Sequence, residues 1–155
     1  MYRHIMVPVD GSKLAECVLP HVAAIAQGCQ ITRVTFVRVV KPFHLYQGDE
    51  YSIIPEERER LEEAGRKVAR EYLVKLTKPL HYGASEIGYE VLYGKESDQL
   101  TEFADKNGVD LIVISTHGRS GISQWIWGSV TDRVLRSSCV PVLMVRAPGC
   151  VPGVK

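Results

Sequence analysis

Apolar residues follow two rhythms along this chain, short unbroken runs and longer stretches spaced three or four apart, and the two alternate from end to end. The run that begins at His4 closes at Asp10-Gly11-Ser12, the pattern of a buried strand handing the chain to a helix, with Ser12 as the expected N-cap. Leu14, Val18, Val22 and Ile25 then recur at helical spacing through Ala26, and Gly28 is the expected stop. Pro20 lies inside that stretch, where a missing backbone donor predicts a kink. Ile31 to Val40, rich in β-branched residues and ending before Pro42, predicts a second strand. Lys41 to Ile54 has no period and reads as a loop, either a functional lid or a disordered segment, and it holds Tyr46 and Tyr51.

The second half repeats the alternation. Pro55 to Lys78 sets Leu61, Ala64, Val68, Tyr72 and Leu76 on one face of a long helix, with glutamates early and basic residues late to match the helix dipole. Its charged run is a solvated face with pairs such as Glu62 and Arg66. Ile87, Tyr89, Val91 and Tyr93 alternate with their neighbours up to Gly94, a third strand. Ser97 opens a helix carrying Leu100, Phe103 and Ala104, and Asn107-Gly108 closes it. Asp110 to Ser115 has the continuous apolar character of a strand buried on both faces. Val130 to Arg136 is a further helix and Pro141 to Arg146 a fifth strand. Residues 1–147 make one domain, and 148–155, with Pro148, Gly149, Pro152 and Gly153, a flexible tail.

Strands alternating with helices at this spacing imply a single doubly wound parallel sheet with helices on both faces and right-handed crossovers. In such sheets a ligand binds beyond the carboxyl ends of the strands, where the strand order reverses. The residues at those ends are Asp10, Val39 with Val40, Gly94 and the loop after Ser115.

The 155 residues are 45% apolar and 24% charged, near the globular average, so disordered and fibrous classes fall away. Nineteen Lys and Arg against eighteen Asp and Glu leave a formal net charge of +1, which gives no electrostatic case for nucleic acid or an anionic membrane. The opening apolar run is too short for a signal-peptide core, and no run has the length of a membrane-spanning helix, so a cytoplasmic protein is expected. Cys17, Cys29, Cys139 and Cys150 form no CxxC pair and read as ordinary packing or surface thiols. The histidines show no metal-ligand spacing.

The candidate chemistry concentrates in Ser115-Thr-His-Gly118-Arg-Ser-Gly121 and the stretch that follows to Gly128-Ser129-Val-Thr131. This loop leaves a buried strand, passes glycines that admit close backbone approach, and enters a helix whose first amide groups and positive dipole end suit an anion. The hydroxyls of Ser129 and Thr131 add donors, Arg119 a fixed positive charge, and a polyphosphate is the natural occupant. Taken singly, the same residues also read as a capping box of Ser129 with Asp132 and as turn glycines. Neither a P-loop nor a dinucleotide fingerprint is present. Trp125 and Trp127 suit packing or a dimer contact better than base stacking.

The arrangement resembles the universal stress protein family, whose motif is Gly, two residues, Gly, nine residues, then Gly followed by Ser or Thr. Here Gly118 and Gly128 enclose nine residues and Ser129 follows, while Ser115 stands where the first motif glycine would be. The resemblance runs from the Pro-Val-Asp-Gly-Ser that closes the first strand to the Cys-Val-Pro-Val-Leu of the last. It implies strand order 3-2-1-4-5, a homodimer joined through Pro141 to Arg146, and, in one branch of the family, bound ATP, with or without Mg. Carried over by position, Asp10 would meet the ribose, Pro8 and Val9 would line the adenine end, and Val39 would contact adenine through its backbone with Ile114 nearby. Gly118, Gly128, Ser129, Val130 and Thr131 would hold the phosphates, with His117, Arg119 and Gly121 flanking them. At position 115, serine costs on the order of 1–2 kcal/mol if the backbone must be left-handed, and is tolerated if only small size is required. The implied function is a homodimeric adenine-nucleotide-binding regulator or sensor in stress response. Two alternatives stand beside it: a nucleotide-free dimer of the same family, and a slow ATP-hydrolysing enzyme, for which the loop offers little beyond Asp10, His117 and Arg119.

Overall fold

The computed structural model describes residues 2–42, 55–116 and 129–146. In chain order they form β1 (His4–Pro8), a 3₁₀ turn (Ala15–Val18), α1 (Leu19–Gly28), β2 (Arg33–Val40), α2 (Pro55–Thr77), β3 (Glu86–Tyr93), α3 (Glu96–Lys106), β4 (Leu111–Ser115), α4 (Ser129–Ser137) and β5 (Val142–Val145). The strands make one parallel sheet in the order β3-β2-β1-β4-β5. Every residue of β1 and β4 is buried, which is why their sequences are apolar except for His4 and Ser115 at their ends and why they lie inside the sheet. Ile5 pairs with Val34 on one side and Leu111 on the other, fixing the register of the three inner strands.

The two-residue repeat of the strands divides the core. Ile5, Val7, Val34, Phe36, Leu111 and Val113 meet Val18, Val22 and Ala26 of the first helical segment and Leu73 of α2. Their neighbours Met6, Val37, Ile112 and Ile114 turn the other way, onto Leu100 and Ala104 of α3 and Val134 of α4. The sheet is therefore covered on both faces, as the alternation of elements implies.

One buried polar pair interrupts this apolar interior. His4 Nδ1 donates to the carbonyl of Asn107 at 3.1 Å, which leaves Nε2 to accept the Thr35 hydroxyl at 2.8 Å. Burial of the ring is the main reason its pKa lies below the usual 6.5. The neutral ring satisfies both partners, accepting from the hydroxyl at Nε2 while donating at Nδ1.

Four local expectations need correction. Pro20 does not kink a helix interior: the chain makes a 3₁₀ turn first and α1 begins at Leu19, so proline falls in the first turn, where no helical donor is needed. Gly28 is the last helical residue, and the left-handed position after it belongs to Gln30, at φ 54°. On α2, Leu61 and Val68 are 44% and 57% exposed, while the buried stripe runs through Ala69 and Leu73 with Tyr72 and Leu76 beside it. The helix approaches β2 at Gly65, where a Cβ would come 3.3 Å from Val40 Cγ1, and that close approach sets which face goes down. Finally, α3 starts one residue before Ser97, which is buried in its first turn with its hydroxyl on Asp98. The loop of residues 43–54 and the tail of residues 147–155 lie outside the described residues.

Candidate functional site

Because the strands are parallel, their carboxyl ends share one edge of the sheet; from β1 the chain winds outward through β2 and β3 on one side, then crosses back to β4 and β5 on the other. The crevice between the ends of β1 and β4 is thus the topological switch point. Neighbouring strands lie only about 4.8 Å apart, so groups at the two ends reach a common ligand.

At the end of β1, Pro8 is buried, and Val9 continues the ladder one residue further, its N–H donating to the Val37 carbonyl at 2.9 Å. Asp10 then turns the chain. Its Oδ1 accepts the Ser12 N–H at 2.9 Å, and the Ser12 hydroxyl oxygen accepts the Ala15 N–H at 3.1 Å, so both side chains hold the turn ahead of the 3₁₀ segment, whose N-cap position is Leu14 rather than the expected Ser12. Gly11, between them, sits at φ +89°, a conformation that residues with a Cβ rarely adopt. The Arg38 guanidinium packs against it: a Cβ on Gly11 would lie 3.2 Å from Arg38 Cζ.

Arg38 also lies over the ring of Tyr72, 5.1 Å from its centroid. The Tyr72 hydroxyl donates to Glu16 Oε1 at 3.2 Å, and the other Glu16 oxygen pairs with Lys13 Nζ at 2.7 Å. Burial, then Glu16, then Asp10 push the Tyr72 phenol far above its ordinary range, with Arg38 acting the other way, so it remains a neutral donor. Arg38, Tyr72 and Glu16 are the residues that sequence reasoning missed. The available signal was parity: in β2 the two-residue repeat puts Arg38 on the same face as Val34 and Phe36, where a charge needs partners.

At the end of β4, Ile114 and Ser115 are both buried, Ser115 opposite Val145 of β5. The Thr131 hydroxyl, itself buried, donates to the Ser115 carbonyl at 2.9 Å. This bond ties the first turn of α4 to the end of β4, and it engages the hydroxyl hydrogen that the sequence reading offers to a phosphate. The backbone N–H groups of Ser129, Val130 and Thr131 have no acceptor within the helix, by the geometry of any helix start. The Asp132 carboxylate pairs with Arg136, one turn on, at 3.0 Å.

Val39, Ile114 and Val130 belong to one apolar cluster, so the structure brings the proposed base-contacting residue to the same wall as the start of α4. His117, Gly118, Arg119, Gly121 and Gly128, with Trp125 and Trp127, lie outside the described residues. Of the other histidines, His4 is at the opposite edge of the sheet, and His21 and His81 are exposed. Among the described residues no group of three His, Cys, Asp or Glu side chains could hold a metal, and no helix is long and apolar enough to cross a membrane.

This edge can offer a ligand one carboxylate on a rigid turn, an apolar wall and a set of helix N-terminal amides. That donor set fits a nucleotide: an acceptor for sugar hydroxyls, a slot for a base, and amides for phosphate oxygens.

Comparison with known proteins leads the same way. A family model described as the universal stress protein family matches residues 1–146. Universal stress protein MJ0531 of Methanocaldococcus jannaschii is 29% identical over 150 residues, which cover 96% of this chain and 84% of that one. The solved structure of MJ0577, from the same organism, superposes with a TM-score of 0.80 at 26% identity over 94% of this chain and 96% of that one. A universal stress protein solved in complex with cAMP superposes at 0.56, with 25% identity over 93% and 96%.

Proposed function

The chain belongs to the universal stress protein family, and from that premise we propose that it binds ATP across the carboxyl ends of β1 and β4 and acts in stress response as a regulator that holds the nucleotide rather than consuming it. The observation that carries the proposal is the Thr131–Ser115 bond, which sets the amide-bearing start of α4 beside the strand next to β1 and its Asp10 turn. The similarity to a relative solved with cAMP supports an adenine nucleotide as the ligand class.

In this reading the Asp10 carboxylate accepts hydrogen bonds from the ribose, Pro8 and Val9 line the adenine end, and Val39 meets the base through its backbone with Ile114 behind it. The phosphates lie over Ser129, Val130 and Thr131, whose main-chain N–H groups meet their charge at the positive end of the α4 dipole. Gly118 and Gly128 let the loop come close, with Ser115, His117, Arg119 and Gly121 around them. Thr131 contributes its amide, because its hydroxyl serves Ser115. Mg would enter with the phosphates, which supply most of its oxygen ligands, and would neutralise their charge. A holding role is the reading we take, because the Asp10 carboxylate already orients a turn by accepting the Ser12 N–H.

The assembly we propose is a homodimer through the last strand, Pro141 to Arg146. β5 stands at the edge of the sheet with β4 on one side, and Leu143 is 38% exposed on it. An edge of this kind invites pairing with a second copy about a two-fold axis. The binding unit is residues 1–147, in keeping with the span matched by the family model, with 148–155 as a tail.

Equilibrium dialysis of the full chain against ATP, with the purified protein also assayed for carried-over nucleotide, tests the proposal. Saturable binding that Gly118→Val abolishes without lowering the melting temperature is the expected result. Indifference to millimolar ATP in a stable dimer would select the nucleotide-free alternative.

A further inference from the structure

The carboxylate assigned to the ribose stands on a turn, and one side chain braces that turn from outside the crevice. Arg38 precedes Val39 in β2, and strand parity sends the two in opposite directions: Val39 to the α3 and α4 face, Arg38 to the face of α1 and α2. There the guanidinium packs on the backbone of Gly11, so closely that a Cβ would come within 3.2 Å of Cζ and Nη1 and 3.3 Å of Nη2. The same group stacks on Tyr72, whose hydroxyl is held by Glu16, which Lys13 holds in turn. Asp10 and Arg38 both act on the Tyr72 phenol, in opposite senses, which places the carboxylate and the guanidinium in one electrostatic neighbourhood. A guanidinium is flat, permanently charged and able to stack, so neither lysine nor a neutral side chain reproduces this contact.

We propose that Arg38 is a positioning residue for nucleotide recognition: packed against Gly11 and Tyr72, it holds the Asp10 turn so that the carboxylate meets the ribose hydroxyls, and preference for the intact ribose depends on Arg38 although it does not touch the sugar. The proposal rests on the reading of Asp10 as the ribose contact. Gly11 is part of the device, since only glycine combines this φ with a guanidinium so close to its Cα.

The test compares ATP with 2′,3′-dideoxy-ATP on the full chain and on Arg38→Met, Arg38→Lys, Asp10→Asn and the Arg38→Met/Asp10→Asn double variant. Hydrogen bonds to a charged group predict that the unaltered chain prefers ATP by about ten- to a hundredfold. Arg38→Met and Asp10→Asn should each bring that ratio close to one while dideoxy binding stays constant, the double variant should do no more than either, and Arg38→Lys should recover only a minor part. An unchanged ratio in Arg38→Met, or equal weakening of both nucleotides, would overturn the proposal and leave Arg38 a purely structural residue. Should Arg38→Met fail to fold, Arg38→Gln, which keeps a planar head group without the charge, reads the same ratio. If the unaltered chain binds neither nucleotide, the functional reading itself falls and this proposal with it. If it binds both equally, only the ribose role of Asp10 and its bracing by Arg38 fall.

Discussion

Replacing Thr131 by valine removes one hydroxyl and almost nothing else. The two side chains have nearly the same shape and similar helix propensity, so neither a cavity nor a weaker helix accompanies the change. What disappears is the 2.9 Å bond to the Ser115 carbonyl, between two residues that are 4% and 6% exposed. Loss of a partner for a buried polar group costs about 1–3 kcal/mol. With about 2–4 °C per kcal/mol for a chain of this size, the melting temperature should fall by roughly 4–8 °C for a loss near the middle of that range. Thermal unfolding without nucleotide measures this, and the Ser115 carbonyl carbon resonance gives an independent reading: it should shift upfield in Thr131→Val and hold its place in Thr131→Ser. Nucleotide affinity, measured where both forms are folded, should stay near that of the unaltered chain, because the side chain serves the protein and the amide serves the phosphate. An unchanged melting temperature with an unmoved carbonyl resonance would refute the tie between β4 and α4.

Other consequences follow from single residues. His4 has its pKa lowered by burial, so the unfolded chain takes up the proton more readily, and stability should decline as pH falls through 6.5 and level off below the folded value; a urea-midpoint series against pH, flattened in His4→Gln, checks it. Gly11→Ala forces a φ of +89° on a residue with a Cβ, which costs about 1–2 kcal/mol even after the guanidinium yields, and calorimetry should show the lower melting temperature. Leu143→Lys adds a charge to the exposed face of β5 with little effect on the single subunit, and sedimentation should report weaker dimerisation if that edge is the interface.

The fold was largely readable because its elements are strongly patterned. The unbroken runs at His4 to Pro8 and Asp110 to Ser115 could only be fully buried strands, and those are the central pair. What misled was local chemistry overruled by neighbours. Leu61 and Val68 share a period with Tyr72 and Leu76, yet the small Gly65 and Ala69 decide where α2 meets the sheet. Pro20 reads as a break in a helix until the 3₁₀ turn before it shows that a new helix starts there. At the site, Asp10 and the start of α4 were legible from turn chemistry and motif spacing. Arg38 was not, because its partners Gly11, Tyr72 and Glu16 come from three separate segments that only the fold assembles. The role of Thr131 was hidden for the same reason, since its acceptor lies on another element.

The most direct measurement of the central claim is a backbone amide NMR titration of the full chain with ATP. Saturable shifts confined to Asp10, Val39, Ser115 and Ser129 to Thr131, with the amino ends of the strands around His4 and Asp110 unmoved, are what nucleotide binding at the carboxyl edge predicts. A spectrum that stays still at millimolar ATP, or shifts centred away from the junction of β1, β4 and α4, would contradict it.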